Sequence, residues 1–165
     1  MNPLLENLKK KQNLPIQEIL DTILEDACKI TESKLSYFAV MNEDEDVLTM
    51  IGWSKSAMAT CQLIVKPIVY ILEDTGLWGD AVRERKPVIT NDYKALSKPT
   101  KKGYPPGHVD VKRHMNIPVF DGNKIVAVAG VGNRENLYTE TQAKALTEYM
   151  NEAWKVLGPK ASQYK

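Results

Sequence analysis

Two stripes of apolar residues at helical spacing, one near each end of the chain, most constrain what this sequence can fold into. Ile16, Ile19, Leu20, Ile23, Leu24, Ala27 and Ile30 follow the i, i+3, i+4, i+7 pattern of an amphipathic helix. Pro15 suits the first turn, where a missing N–H costs nothing. The spacing predicts a helix over 15–32. At the other end Thr139-Glu140-Thr141-Gln142 reads as a capping box. Ala143, Leu146, Met150, Ala153 and Leu157 then form the second stripe, with Tyr149 and Trp154 beside it, and Gly158-Pro159 stops the helix. Each stripe must be covered by something apolar, and strands lie between them. Segments 33–42 and 47–53 flank the acidic run Glu43–Asp46, which reads as a solvated turn. Segments 113–120 and 125–131 flank the turn Asp121-Gly122-Asn123. The last strand is nearly all apolar, as a central strand covered on both faces should be. Hairpins bracketed by terminal helices predict an α+β fold, not a doubly wound parallel sheet.

The middle of the chain is less regular. Residues 54–61 are expected to form a short helix. The apolar run Val65–Leu72 contains Pro67, which has no ladder donor, so it is expected at a sheet edge. Residues 76–85 predict a short helix capped from Asp74 or Thr75. Val88–Thr90 predicts a short strand. Residues 93–111 carry three prolines and two glycines and predict a long loop, the kind that tends to be functional or mobile. No internal repeat or low-complexity tract interrupts this order.

Composition narrows the function classes. A length of 165 residues suits one domain. The net charge of +1 provides no global field for nucleic acid or an anionic membrane. The start, Met1-Asn2-Pro3-Leu4-Leu5-Glu6, lacks a signal-peptide core, and no run of about 18 apolar residues occurs, so a cytoplasmic location is expected. Cys28 and Cys61 form no Cys-x-x-Cys, and His108 and His114 have no cysteine at ligand spacing. No metal site is expected. Cys28 falls on the apolar face of the first long helix and reads as an inert thiol.

Three stretches, in order, resemble a GAF domain. The first is Gly76-Leu77-Trp78-Gly79-Asp80-Ala81-Val82 through Lys86-Pro87-Val88-Ile89-Thr90-Asn91-Asp92. The second is Ile117-Pro118-Val119-Phe120 with Asp121-Gly122. The third is Ile125 through Arg134 followed by Tyr138-Thr139-Glu140. Gly52-Trp53-Ser54, Lys102-Gly103-Tyr104-Pro105, Gly107-His108-Val109 and Arg113-His114-Met115-Asn116 look like the GAF modules of bacterial and archaeal sensor histidine kinases and diguanylate cyclases. The resemblance covers 15–157, leaving 1–14 as an N-terminal extension and 158–165 as a tail. It implies a GAF-like, PAS-related central antiparallel sheet, with terminal helices on one face and loops and short helices on the other. It also implies a sensory small-molecule-binding domain in signal transduction. Such a domain would be a homodimer through its terminal helices, with a kinase or cyclase output domain fused or in trans.

Among the family's uses, the residues disfavour chemistry. Free methionine sulfoxide reduction needs a thiolate and a resolving thiol over the pocket, whereas 62–165 holds no cysteine. Pigment attachment needs a cysteine beside a histidine, and neither histidine has one. The cyclic-nucleotide pattern is met only in part, by Asn133, Arg134 and Tyr138. No catalytic constellation is visible, so the chain is expected not to be an enzyme and to need no cofactor. The alternatives are a GAF-scaffold reductase and a purely structural dimerisation domain.

One segment departs from the average charge. Lys98, Lys101, Lys102, Lys112 and Arg113 stand against Asp110 alone, a local +4 that leaves −3 for the remainder. Both histidines lie here. The GAF resemblance implies that the 76–85 helix aims its N-terminal N–H groups at the pocket, which favours an anion. The expectation is a small ligand with an anionic group held by Arg113, His108 or His114 and stacked on Trp53, Trp78 or Tyr93, with Tyr70, Asp92 and Tyr104 as further contacts.

Overall fold

The computed structural model describes residues 2–54, 68–101 and 111–164. The expected helix at 54–61, along with Tyr104 and His108, therefore lies almost wholly outside the described residues.

The N-terminal extension contains a helix, α1 (Pro3–Lys9). Asn2 caps it by accepting from Leu4 N at 2.8 Å, and Leu5 and Leu8 enter the core. The first long stripe forms α2 (Ile16–Thr31), which ends where Glu32 turns left-handed at φ 55°. The first hairpin is β1 (Leu35–Met41) and β2 (Val47–Trp53). Then come β3 (Ile68–Ile71), α3 (Asp80–Glu84), β4 (Val88–Thr90), β5 (His114–Asp121) and β6 (Lys124–Gly132). The second stripe forms α4 (Glu140–Leu157) behind the expected capping box.

Among the described residues the six strands make one sheet in the order β3-β2-β1-β6-β5-β4, antiparallel throughout. The apolar β6 is central and the segment beyond Pro67 is an edge, as expected. The fold is α+β and GAF-like. Helices α2 and α4 cover one face, where Ile19, Ile23, Leu146 and Met150 pack on Phe38, Ile117 and Ala129. Phe38 stacks on Trp154 with ring centroids 6.3 Å apart. The two helices are also joined through the core, where Tyr149 Oη donates to Asp26 Oδ2 at 2.5 Å. Burial of both groups raises their pKa values.

Two local expectations are corrected. The 76–85 segment is not one helix with a side-chain cap. A 3-10 turn over Leu77–Gly79 precedes the five-residue α3, and neither start carries a side-chain cap bond. Thr75 is turned the other way, its hydroxyl donating to Leu72 O at 2.6 Å, and it lies so close to Gly79 that a Cβ there would strike it. Asp74 closes the separate turn Leu72–Asp74. Nor is the acidic run simply solvated. Glu45 adopts φ 57° and accepts from Arg85 Nη1 and from Ile125 N, both at 3.0 Å, while Lys124 pairs with Glu43. The run ties the β1–β2 hairpin to the start of β6.

Candidate functional site

Strand neighbours alternate between faces, and β5 therefore directs His114 and Asn116 to the face opposite α2 and α4, while Met115 and Ile117 enter the helix-side core. The register sets Gly130 of β6 between Asn116 on one side and Tyr37 of β1 on the other. Gly130 is required here. A Cβ at this position would overlap the Tyr37 ring and come within 2.6 Å of Asn116 Oδ1. The Tyr37 side chain crosses above the glycine, and its hydroxyl donates to Asn116 Oδ1. The Asn116 amide is 3.1 Å from His114 Nδ1. An amide nitrogen only donates, so Nδ1 accepts and the neutral ring carries its proton on Nε2. Burial lowers the His114 pKa from its ordinary 6.5 to about 4 and pushes the Tyr37 phenol up.

Aromatic rings continue from this polar row. Tyr37 meets Trp78 edge-on at 5.8 Å, and Trp78 meets Tyr70 edge-on at 5.2 Å. Trp53 lies directly opposite Tyr37 in the β1–β2 register, and Trp53, Tyr70 and Trp78 are half-buried against a small core of Ala39, Met41, Leu48 and Val128. At the other end Tyr93 tilts against His114 with centroids 6.1 Å apart. Trp53, Tyr70, Trp78, Tyr93 and His114 are thus gathered on the loop face.

Asp92 and Arg113 are not part of that group. Asp92 is exposed, and its carboxylate accepts from Ala95 N at 3.2 Å, closing a turn. Arg113 precedes β5 and donates to Arg134 O at 2.7 Å and Glu135 O at 3.1 Å. It lines an open cleft of about 300 Å³ at the sheet's rim, together with Lys34, Lys112, Asn133, Arg134 and Glu135.

Other cations of the basic segment also turn inward. Lys98 pairs with Asp80 at 2.8 Å and Glu84 at 3.1 Å. Lys101 lies over the Tyr93 ring at 4.4 Å and donates to the carbonyls of Tyr93, Lys94 and Leu96. Asp80, 2% exposed, also accepts from Arg83 and Thr100, both at 2.7 Å, and these donors hold its carboxyl below the usual range. Asp80 thus anchors the start of α3, and the expected anion-binding N-terminus belongs to a helix of only five residues.

The Asn-basic and aromatic-Thr motif before α4 is structural. Asn91 pairs with both backbone groups of Tyr138, donating to O at 3.1 Å and accepting from N at 2.8 Å. Arg134 Nε donates to Thr31 O at 3.0 Å, closing the end of α2. Tyr138 Oη and Ser33 Oγ are 2.6 Å apart. Cys28 is half-buried on α2, in the helical layer, and burial raises its thiol pKa.

Two residues of the loop face, Tyr37 and Asn116, escaped the sequence reading. An asparagine two positions from His114 within an otherwise apolar strand was the available signal for one. Tyr37 reads as an ordinary strand former, and only the register across β1, β6 and β5 reveals its role.

Residues 13–157 match the GAF domain family. The chain belongs to the GAF family. It is 49% identical over 153 residues to the methyl sulfide methyltransferase-associated sensor of Methanosarcina acetivorans, covering 93% of this chain and 15% of that protein. The chain thus spans a small part of that relative's length. The GAF domain of a Coxiella burnetii phosphoenolpyruvate-protein phosphotransferase superposes with a TM-score of 0.72 at 13% identity, covering 97% of this chain and 94% of the other. The free methionine-R-sulfoxide reductase of Neisseria meningitidis, solved with its substrate, superposes with a TM-score of 0.69 at 14% identity, covering 97% and 87%. Both likenesses concern the fold. Among the described residues no helix is long and apolar enough to cross a membrane, and no group of acidic, histidine and cysteine side chains could hold a metal.

Proposed function

We propose that this GAF domain is a sensory module that binds a small molecule on its loop face and reports occupancy through its terminal helices. One observation carries the reading. The loop face places an ordered polar row, Tyr37–Asn116–His114, beside half-buried Trp78, Tyr70 and Trp53. Ligand sites typically combine apolar walls with a few convergent polar groups. The relative that shares 49% of its residues is named a sensor, which supports a signalling role. Homodimerisation through α2 and α4, with a kinase or cyclase output fused or in trans, completes the scheme. The two helices meet the sheet through one continuous core, so a shift on the sheet reaches both.

Catalysis is the less favoured reading: sulfoxide reduction needs two thiols over the pocket, Cys28 lies in the helical layer with a raised pKa, and Cys61, outside the described residues, is the one cysteine that remains. Fluorescence of Trp53 and Trp78 during titration with a metabolite library tests binding. The expected result is a saturable change that Trp78→Phe reduces. Spin labels on the exposed side of α4 test coupling, with a changed interhelix distance at saturation expected. An unchanged spectrum across the library would leave a structural dimerisation domain as the better account.

A further inference from the structure

On the premise that the loop face is the ligand site, its hydrogen bonds specify what kind of atom the site recognises. The row has a fixed direction. Tyr37 Oη donates to Asn116 Oδ1, and Asn116 Nδ2 donates to His114 Nδ1. Both acceptors are thereby engaged, and the imidazole is left with a single remaining polar group, the Nε2–H donor. Tyr37 cannot swing away without leaving Asn116 Oδ1 and uncovering Gly130. The row itself is therefore built into three strands and does not depend on the ligand.

Three described cations of the basic segment have partners elsewhere. Lys98 faces Asp80 and Glu84, Lys101 faces three carbonyls, and Arg113 donates to the backbone at the rim. No hydrogen bond or ion pair joins any of these three described cations to His114. A buried anion without a counter-charge is costly, whereas the smaller desolvation cost of a neutral acceptor is offset by the hydrogen bond it gains. We propose that His114 is a specificity-determining residue whose Nε2–H donates to an uncharged acceptor, a carbonyl or ring nitrogen, on a flat ligand whose apolar body lies toward Trp78 and Tyr70. This replaces the anionic group expected from the basic segment. Burial acts in the same direction, since it keeps the ring neutral near pH 7.

The test uses the whole chain, labelled with ¹⁵N, and long-range proton–nitrogen NMR of its imidazoles. His114 is assigned by comparison with His114→Gln. The free protein should show the Nε2–H form at pH 7, and Asn116→Leu should lose that preference. An Nδ1–H form in the unaltered chain would overturn the inference. The probes are matched pairs, benzamide with benzoate and indole-3-carboxamide with indole-3-carboxylate. At equal concentration at least one amide should shift the His114 resonances at least fivefold more than its carboxylate partner. His114→Phe should abolish the tryptophan fluorescence response to that amide, and His114→Gln, which keeps a donor, should retain part of it. A stronger carboxylate response would overturn the neutral-acceptor assignment and leave ligand binding on this face intact. Silence from every probe at His114 would overturn the assignment, and silence of Trp53 and Trp78 in the library titration would remove the underlying reading as well.

Discussion

The two faces of the sheet are built from different materials. The helix face is apolar and closed: Phe38, Ile117, Ala129 and Leu146 are at most 1% exposed, and one polar pair, Asp26–Tyr149, spans it. The loop face carries a polar row of fixed direction and aromatic rings that remain half-exposed. One face therefore supplies stability, and the other retains groups able to meet a ligand. A single sheet separates them.

Four measurements can break or sharpen this contrast. Leu146→Ala, on the closed face, is expected to cost about 2–5 kcal/mol in chemical denaturation through lost burial and a cavity. It should leave the His114 tautomer unchanged. A cost below about 1 kcal/mol would contradict the closed packing.

Acid should separate the faces by sign. His114 has a folded pKa of about 4 against an ordinary 6.5, so the unfolded chain takes up the proton first. Its contribution is present above pH 6.5 and is lost as pH falls toward 4. The ceiling is about 3 kcal/mol, at about 1.4 kcal/mol per pKa unit. Asp26 is raised and acts oppositely: its stabilisation is present below the ordinary carboxylate pKa and is lost as pH rises through the raised value. His114→Gln should flatten the acid limb of a stability profile between pH 7 and 5, and Asp26→Asn should steepen the net fall above the ordinary carboxylate pKa. The reverse assignment of slopes would refute it.

Tyr149→Phe is expected to cost about 2 kcal/mol, because it removes a hydrogen bond to a buried carboxylate. Asp26→Asn keeps an acceptor for the phenol and should change stability at pH 7 by less. Gly130→Ala is expected to cost about 1–2 kcal/mol by overpacking, less than the core truncation. It should displace Tyr37 from Asn116 and release the His114 tautomer, visible in the same imidazole spectra. An alanine that leaves those spectra unchanged would remove Gly130 from the design of the site.

Much of the fold is legible along the chain. The stripes of α2 and α4, the Thr139–Gln142 box, both hairpins and the edge position of β3 follow from periodicity, capping and the proline at 67. The site is legible only in part. Trp53, Tyr70, Trp78, Tyr93 and His114 assemble on one face. Arg113 does not, because the position beside His114 directs its guanidinium to the Arg134 and Glu135 carbonyls. The local +4 is a sum over side chains whose partners are distant in sequence, such as Lys98 with Asp80 and Glu84, and addition cannot reveal pairing.

Local order thus resides in the sequence because its causes act over a few residues: helical spacing, caps, turns and alternation. Family membership follows from the same short motifs, in their order. The chemistry of the loop face does not. It depends on Tyr37, Gly130 and Asn116 meeting across three strands, with 79 positions separating Tyr37 from Asn116. Only the register of the folded sheet brings those atoms together and sets the Asn116 amide beside His114 Nδ1.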